Sequence, residues 1–181
     1  EMVKSYLPDF KPMVQLHPDN PATLGAFGMP GIFTETKMVH DDALLKSKPE
    51  ILKAWKEMGD ITGRYYKPVE TVDAEDAETV FLTMGSIGET VSIAVESLRK
   101  EGKKVGVVKL RLWRPFPFDE FREAVKDVKR IIVIDRAISY AGPGGPVASE
   151  IRAALYGQEN MPEVTNFIAG LAGRDVTPKD Y

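Results

Sequence analysis

Cysteine is absent from the 181 residues. Disulfides, cysteine-ligated iron–sulfur clusters and thiol nucleophiles are therefore excluded from this chain. The absence is compatible with a reducing cytoplasm, the compartment expected for it. Histidine is scarce as well. His17 and His40 stand far apart, and neither belongs to a carboxylate–histidine motif, so no zinc site is expected. Basic excess is lacking too. The formal net charge is -3 with both signs mixed, whereas a nucleic-acid surface needs clustered positive charge. No stretch approaches the roughly 18 apolar residues of a membrane span, so a soluble protein without a membrane partner is expected. No signal peptide is visible. The chain opens on Glu1 rather than methionine, which reads as a processed or excised piece of something longer.

Apolar residues make up 43% of the chain, enough for a proper core. Their arrangement changes near residue 75, giving an expected division into segments 1–75 and 76–181. Residues 8–30 hold Pro8, Pro12, Pro18, Pro21 and Pro30. Prolines at that density fix φ, remove backbone donors and exclude helix. Yet Met13, Val14, Leu16, Leu24, Phe27 and Met29 lie among them, where a solvated linker would be polar. The pattern predicts an extended arm that buries these side chains against another surface, in this chain or in a partner.

A helix capped by Thr34 or Thr36 is expected to run to about Lys46. A second helical pattern covers residues 50–61, with Ile51, Trp55 and Met58 on one face, Pro49 in its first turn and Gly63 as its stop. The two form either one kinked helix or a pair.

From Thr79 the periodicity is different. Short apolar runs at 80–84, 105–110 and 131–134, and a weaker one at 164–168, alternate with helical patterns at 89–100, 118–128 and 147–156. Runs apolar on both faces suit strands covered from both sides. The fold class predicted is α/β: a three-layer, mostly parallel sheet flanked by helices, preceded by the arm and the helical segment.

Strand ends are where such sheets bind ligands. After the first run come Gly85 and Ser86. They serve either as a phosphate-holding turn or, the preferred reading, as a helix start capped by Ser86 or its neighbour with Glu89 completing a capping box. The spacing does not fit a dinucleotide fingerprint. The second run leads into Trp113, Arg114, Pro115, Phe116, Pro117 and Phe118. This stiff aromatic connection is either an interface or a rigid loop packed on its own domain, and Arg114 is suited to an acidic partner or a phosphate. After the third run, Asp135 sits at the strand end, a position for function, capping or salt bridging. The loop Gly142-Pro143-Gly144-Gly145-Pro146 lacks the lysine of a P-loop. Its glycines read as positions of positive φ and close backbone passage. Arg174 and Asp175 near the end form a candidate docking pair. No Ser/His/Asp set occurs in a motif context. A separate possibility is a small-ligand or coenzyme A binding module that uses Gly85-Ser86 and Gly142 to Gly145 beside Arg114.

Taken in order, Val80 to Ser86, Lys104 to Pro117 and Gly170 to Pro178 resemble the alpha subunit of the 2-oxoacid:ferredoxin oxidoreductases, the pyruvate enzyme above all. The arm and Gly63-Arg64-Tyr65-Tyr66 fit as well. The resemblance implies the rear half of that subunit, with a domain like the C-terminal domain of transketolase at 76–181; the C-terminal domain of a transketolase or of another thiamine-dependent 2-oxoacid dehydrogenase is the alternative, and the ending Gly173 to Pro178 speaks against it. It implies a whole enzyme that decarboxylates a 2-oxoacid with coenzyme A and reduces ferredoxin, using thiamine diphosphate, magnesium and [4Fe–4S] clusters. None of these cofactors would be bound by this chain. The family's pyrophosphate-and-magnesium motif is missing, since Gly59-Asp60 is followed by Ile61 and no Asn-Asn exists. The partners implied are the thiamine-binding front half and the other subunits. No catalytic, cofactor or metal residue carries over. Gly85, Ser86, Arg114, Pro115, Phe116, Pro117, Arg174 and Asp175 remain as candidate interface or loop residues.

Overall fold

The computed structural model describes residues 2–25 and 27–181. Glu1, and Ala26 within the arm, lie outside the described residues. The chain divides into two compact units, Glu1–Tyr65 and Tyr66–Tyr181.

The first unit is helical apart from the arm. It contains α1 (Met2–Tyr6), α2 (Pro30–Lys46) and α3 (Lys48–Thr62). α2 starts earlier than Thr34, because Pro30 itself occupies the first helical position, where its missing N–H costs nothing. Between α2 and α3 lies only Ser47, with helical φ and ψ. The break follows from Pro49, which has no N–H to continue the α2 ladder. Ser47 caps the end instead, donating its hydroxyl to the Leu44 carbonyl at 2.6 Å. Gly63 stops α3 in the left-handed conformation at φ 73°, its N–H bonded to the Gly59 carbonyl at 2.8 Å. Gly59 is required for a second reason: the Tyr65 ring lies where its Cβ would be.

Among the described residues from 8 to 29 the arm has no helix or strand, apart from a turn that bridges His17 and Asn20. Its apolar side chains are exposed. Met13 is fully so, and Phe10, Leu16, Leu24 and Phe27 are mostly so. α2 likewise buries no residue and leaves Ile32, Phe33, Met38, Val39 and Leu45 in the open.

The second unit is one five-stranded sheet in the order β1-β3-β2-β4-β5. The strands are β1 (Val69–Val72), β2 (Thr79–Met84), β3 (Val105–Leu110), β4 (Arg130–Asp135) and β5 (Glu163–Ile168). Four are parallel, and the edge strand β1 runs antiparallel to β3. β1 has only four residues and no continuous apolar run, so no strand signal separates it from a loop; it brings the sheet down to Val69.

Three helices cover the sheet: α4 (Ile87–Lys100), α5 (Phe118–Val125) and α6 (Pro146–Leu155). Alternation along β2 sorts them. Val80 and Leu82 pack with Phe121 and Val125 of α5 and with Ile151 and Leu155 of α6. Phe81 points the other way, into a cluster with Ile87, Val91 and Val95 of α4. The 3.6 period of Ile87, Val91, Ala94 and Val95 makes α4 one-sided. Each fully buried side chain of this size contributes about 1.5–3 kcal/mol.

One buried polar atom interrupts the α4 layer. The Thr83 hydroxyl has no hydrogen-bond partner among the described residues and sits beneath Gly88. Replacing Thr83 by valine removes that orphan without changing the volume. Urea denaturation should show the variant equal to the parent or up to about 1 kcal/mol more stable. A loss beyond that would mean the hydroxyl is bonded.

Candidate functional site

Strand order reverses between β2 and β4. From β2 the chain crosses by α4 to β3 on one side, then returns by α5 to β4 on the other. The carboxyl ends of β2 and β4 therefore flank a switch point, where open α/β sheets hold ligands.

On one side of this point, Asp135 closes the end of β4. It is 1% exposed. Its carboxylate accepts the N–H groups of Val147 (2.9 Å) and Ala148 (3.1 Å), in the first turn of α6, and the Asn166 amide of β5 (3.0 Å). Asn166 in turn donates to the Val133 carbonyl at 3.1 Å and accepts from Gly145 N–H at 2.7 Å. The glycine-rich loop is thus wrapped on an internal carboxylate. A methyl group on Gly145 would overlap Asp135, and one on Gly144, at φ 118°, would overlap Asn166. The loop offers its N–H groups to protein atoms, which removes it as a ligand cradle. Asn166 carries no sequence signal, since it sits in a short, half-exposed strand.

Ser86 does not do what the capping reading assigns to it. It has helical φ and ψ and makes no cap hydrogen bond. Glu89 completes no box with it. Instead Glu89 is drawn sideways to Lys109 of β3 at 2.9 Å and to Arg111, just past its end, at 3.4 Å. Arg111 also binds Glu70 of β1 at 2.7 Å and lies over the Tyr66 ring. The buried Lys109 and the neighbouring Arg111 outcompete a backbone N–H for the carboxylate. The hydrogen bond from Lys109, with the charges of Lys109 and Arg111, holds the Glu89 carboxyl below its usual range.

Arg114 meets Glu150 of α6 at 3.1 Å, donates to the Trp113 carbonyl and lies over the Trp113 ring. Its peptide bond to Pro115 is cis. Pro115, Phe116 and Pro117 are buried, and Phe116 packs against Trp113, Phe118 and Phe121. This loop belongs to the α5–α6 layer, whereas Gly85 and Ser86 open α4 in the other layer. Arg114 and the two glycine-bearing loops therefore form no common cradle.

The residues that do converge are Ser86, Arg174 and Asp175. With Thr90, Arg136 and Gly170 they line a cavity of about 200 Å3 at the switch point. The tail reaches it by folding back. Thr177 donates its N–H and hydroxyl to Asp180, both at 2.7 Å, and the Tyr181 ring packs edge-on against Phe81. Arg136 and Tyr181 escaped the sequence reading because only the returning tail gives them a common neighbourhood.

No group of three or more His, Asp or Glu side chains among the described residues could hold a metal ion, and cysteine is absent. Among the described residues no donor set for magnesium is assembled, and no thiolate exists to ligate an iron–sulfur cluster.

Fold and site together define a wound α/β domain whose polar strand ends are mostly committed to its own structure. The pyruvate:ferredoxin oxidoreductase core domain II family model matches residues 77–181, more than half of the chain, and the chain belongs to that family. It is 39% identical to pyruvate synthase subunit PorA of Methanothermobacter thermautotrophicus, over 98% of this chain and 45% of that one. It is 41% identical to ketoisovalerate oxidoreductase subunit VorA of Pyrococcus horikoshii, over 99% of this chain and 46% of that one. The chain spans about half the length of the curated relatives it matches. Among solved structures it is similar to the 2-oxoglutarate:ferredoxin oxidoreductase of Magnetococcus marinus, with TM-score 0.48 and 26% identity over 64% of this chain and 18% of that one. It is also similar to a split-gene transketolase, with TM-score 0.49 and 16% identity over 65% and 40%. No helix among the described residues is long and apolar enough to cross a membrane.

Two outcomes test the assignments around the strand ends. Asp135→Ala leaves the buried N–H groups of Val147 and Ala148 without an acceptor, while the Asn166 amide keeps the Val133 carbonyl, and should cost about 3 kcal/mol in urea denaturation, the penalty for orphaned polar groups. Loss below about 1 kcal/mol would show that water or a neighbour replaces the carboxylate. Because the Glu89 pKa is depressed on folding, its stabilisation is complete above the ordinary carboxylate range and is lost as pH falls through the folded value. Glu89→Gln should flatten that part of the stability–pH profile, and an unchanged profile would place the acid dependence elsewhere.

Proposed function

We propose that the chain is the rear, structural part of the alpha subunit of a 2-oxoacid:ferredoxin oxidoreductase, with pyruvate as the preferred acid. The observation that carries this is the family match over 77–181, in a chain whose relatives are named as subunits of such oxidoreductases. The whole enzyme would remove CO2 from the 2-oxoacid, join the acyl carbon to the thiol sulfur of coenzyme A with release of the thiol proton, and pass two electrons to ferredoxin. Thiamine diphosphate, magnesium and iron–sulfur clusters would be held by the front half of the subunit and by the other subunits, in the cytoplasm.

The work of this chain would lie at interfaces. An apolar surface the size of the arm and α2 is unusual on a protein that functions alone. Met13, Phe10, Phe27, Leu16 and Leu24 on an extended backbone, and Ile32, Phe33, Met38 and Val39 on a helix, are side chains suited to burial in partner grooves. Family membership and the committed strand ends favour this reading over a free-standing coenzyme A module: the Gly142 to Gly145 loop is filled from within by Asp135 and Asn166, and Arg114 is held by Glu150. Gly85 and the segment Arg114 to Pro117 are assigned to shaping the domain.

Deleting residues 8–30 from the subunit, expressed with its partner subunits, should release it from the complex in size-exclusion chromatography with mass detection. Assembly of unchanged mass and stoichiometry would overturn the interface role of the arm.

A further inference from the structure

We propose that the cavity between β2 and β4 binds a small phosphorylated ligand with an apolar body, and that Arg174 and Arg136 hold its anionic end. This goes beyond the assembly reading and does not depend on it.

The arginines at this end of the sheet differ from the others in what they hold. Elsewhere in the domain they are spoken for: Arg99, Arg111 and Arg114 each hold a carboxylate. The Arg174 side chain has no hydrogen bond or ion pair among the described residues, and it is exposed. Its charge lowers the pKa of Asp180, but that carboxylate is occupied by both donors of Thr177. Arg136 makes one long bond, 3.4 Å, to the Gly170 carbonyl. Both guanidinium groups line the same 200 Å3 cavity, and the acidic side chain lining it is Asp175. Asp175 in the cavity and Asp180 beside it balance the two cations in charge, so what the cavity offers an anion is two guanidinium groups whose donors are largely unused.

Two hydroxyls add to those donors. Ser86, just before α4, and Thr90, in its first turn, are four positions apart with helical backbone between them, so they share a face, and both line the cavity. Neither side chain has a hydrogen-bond partner among the described residues, although Ser86 occupies a position where capping is the normal use of a serine. Two guanidinium forks and two hydroxyls offer more donors than the two oxygens of a carboxylate use. A phosphoryl group presents three oxygens and suits the set.

The cavity does not stand alone. A second one of about 500 Å3 shares Gly170, Arg174 and Tyr181 with it. Its walls include the apolar Ile132, Ile134, Phe167, Leu171 and Val176, with Asp175 and Asp180 at the end it shares with Arg174. Phe167, 56% exposed on the outer strand, is free to stack on a flat ring. A pocket polar at one end and apolar at the other selects an amphipathic small molecule. A ring with one phosphate, as in a nucleoside monophosphate, is the ligand class that fits both halves.

The test is a titration of the full 181-residue chain, followed by amide shifts in nuclear magnetic resonance, with inorganic phosphate, AMP and adenosine at constant ionic strength. Phosphate should shift the amides of residues 85–90 and 170–176, where matched chloride does not. AMP should bind at least about tenfold more tightly than phosphate and also move Ile132 and Phe167, and adenosine should bind more weakly than AMP. Arg174→Gln should weaken AMP about tenfold with the circular dichroism spectrum unchanged, and Arg174→Lys should fall between. Absence of localised shifts up to about 20 mM phosphate, AMP no tighter than phosphate, or equal binding by Arg174→Gln would each overturn the proposal.

Discussion

A carboxylate buried to 1% exposure at the end of β4 organises the second unit. Removing an ionised group from water costs several kcal/mol, and only dense hydrogen bonding offsets it. Asp135 meets that requirement with donors from three places: the Val147 and Ala148 backbone, and the Asn166 side chain. The same bonds fix where α6 begins, how β5 sits beside β4 and why Gly144 and Gly145 carry no side chain. Because this arrangement fills the glycine-rich loop from within, the other flank of the switch point is left with uncommitted polar side chains.

Much of the architecture was legible in the sequence. The runs at 80–84, 105–110 and 131–134 became strands within a residue of their expected bounds, because a strand covered on both faces must be apolar throughout. Pro49 and Gly63 marked helix boundaries through constraints that belong to the residue itself. Long-range choices were less visible. Glu89 satisfies the spacing of a capping box, yet the partner it takes, Lys109, lies twenty residues on and on another strand. Asn166 and Arg136 acquire their roles from β-sheet register and the returning tail, neither of which leaves a local pattern. β1 has too few residues to show a period.

The two units differ in how they satisfy their apolar residues. In the second, one-sided helices and alternating strands gather the buried apolar side chains mostly into two clusters, one on each face of the sheet. In the first, the chain carries apolar side chains on every side of α2 and along a proline-stiffened arm. Proline limits the conformational freedom such a segment loses on docking, so the arm is suited to association at a low entropic cost. Membership of a family whose relatives are named as oxidoreductase subunits gives that surface a context.

The strand order also sets a timetable for the chain as it is made. β2 lies at the centre of the sheet, and its partner on one side, β4, follows it by some fifty residues. β1 waits for Leu110 before Val69 has a neighbour, and Asp135 waits for Asn166. The sheet therefore cannot close until nearly the whole second unit has left the ribosome, while α2 and α3, bonded within themselves, form as soon as they emerge. Through that interval the exposed side chains of the arm and α2 are already presented. Recognition of this surface by a chaperone or a nascent partner has its opening before the α/β domain exists.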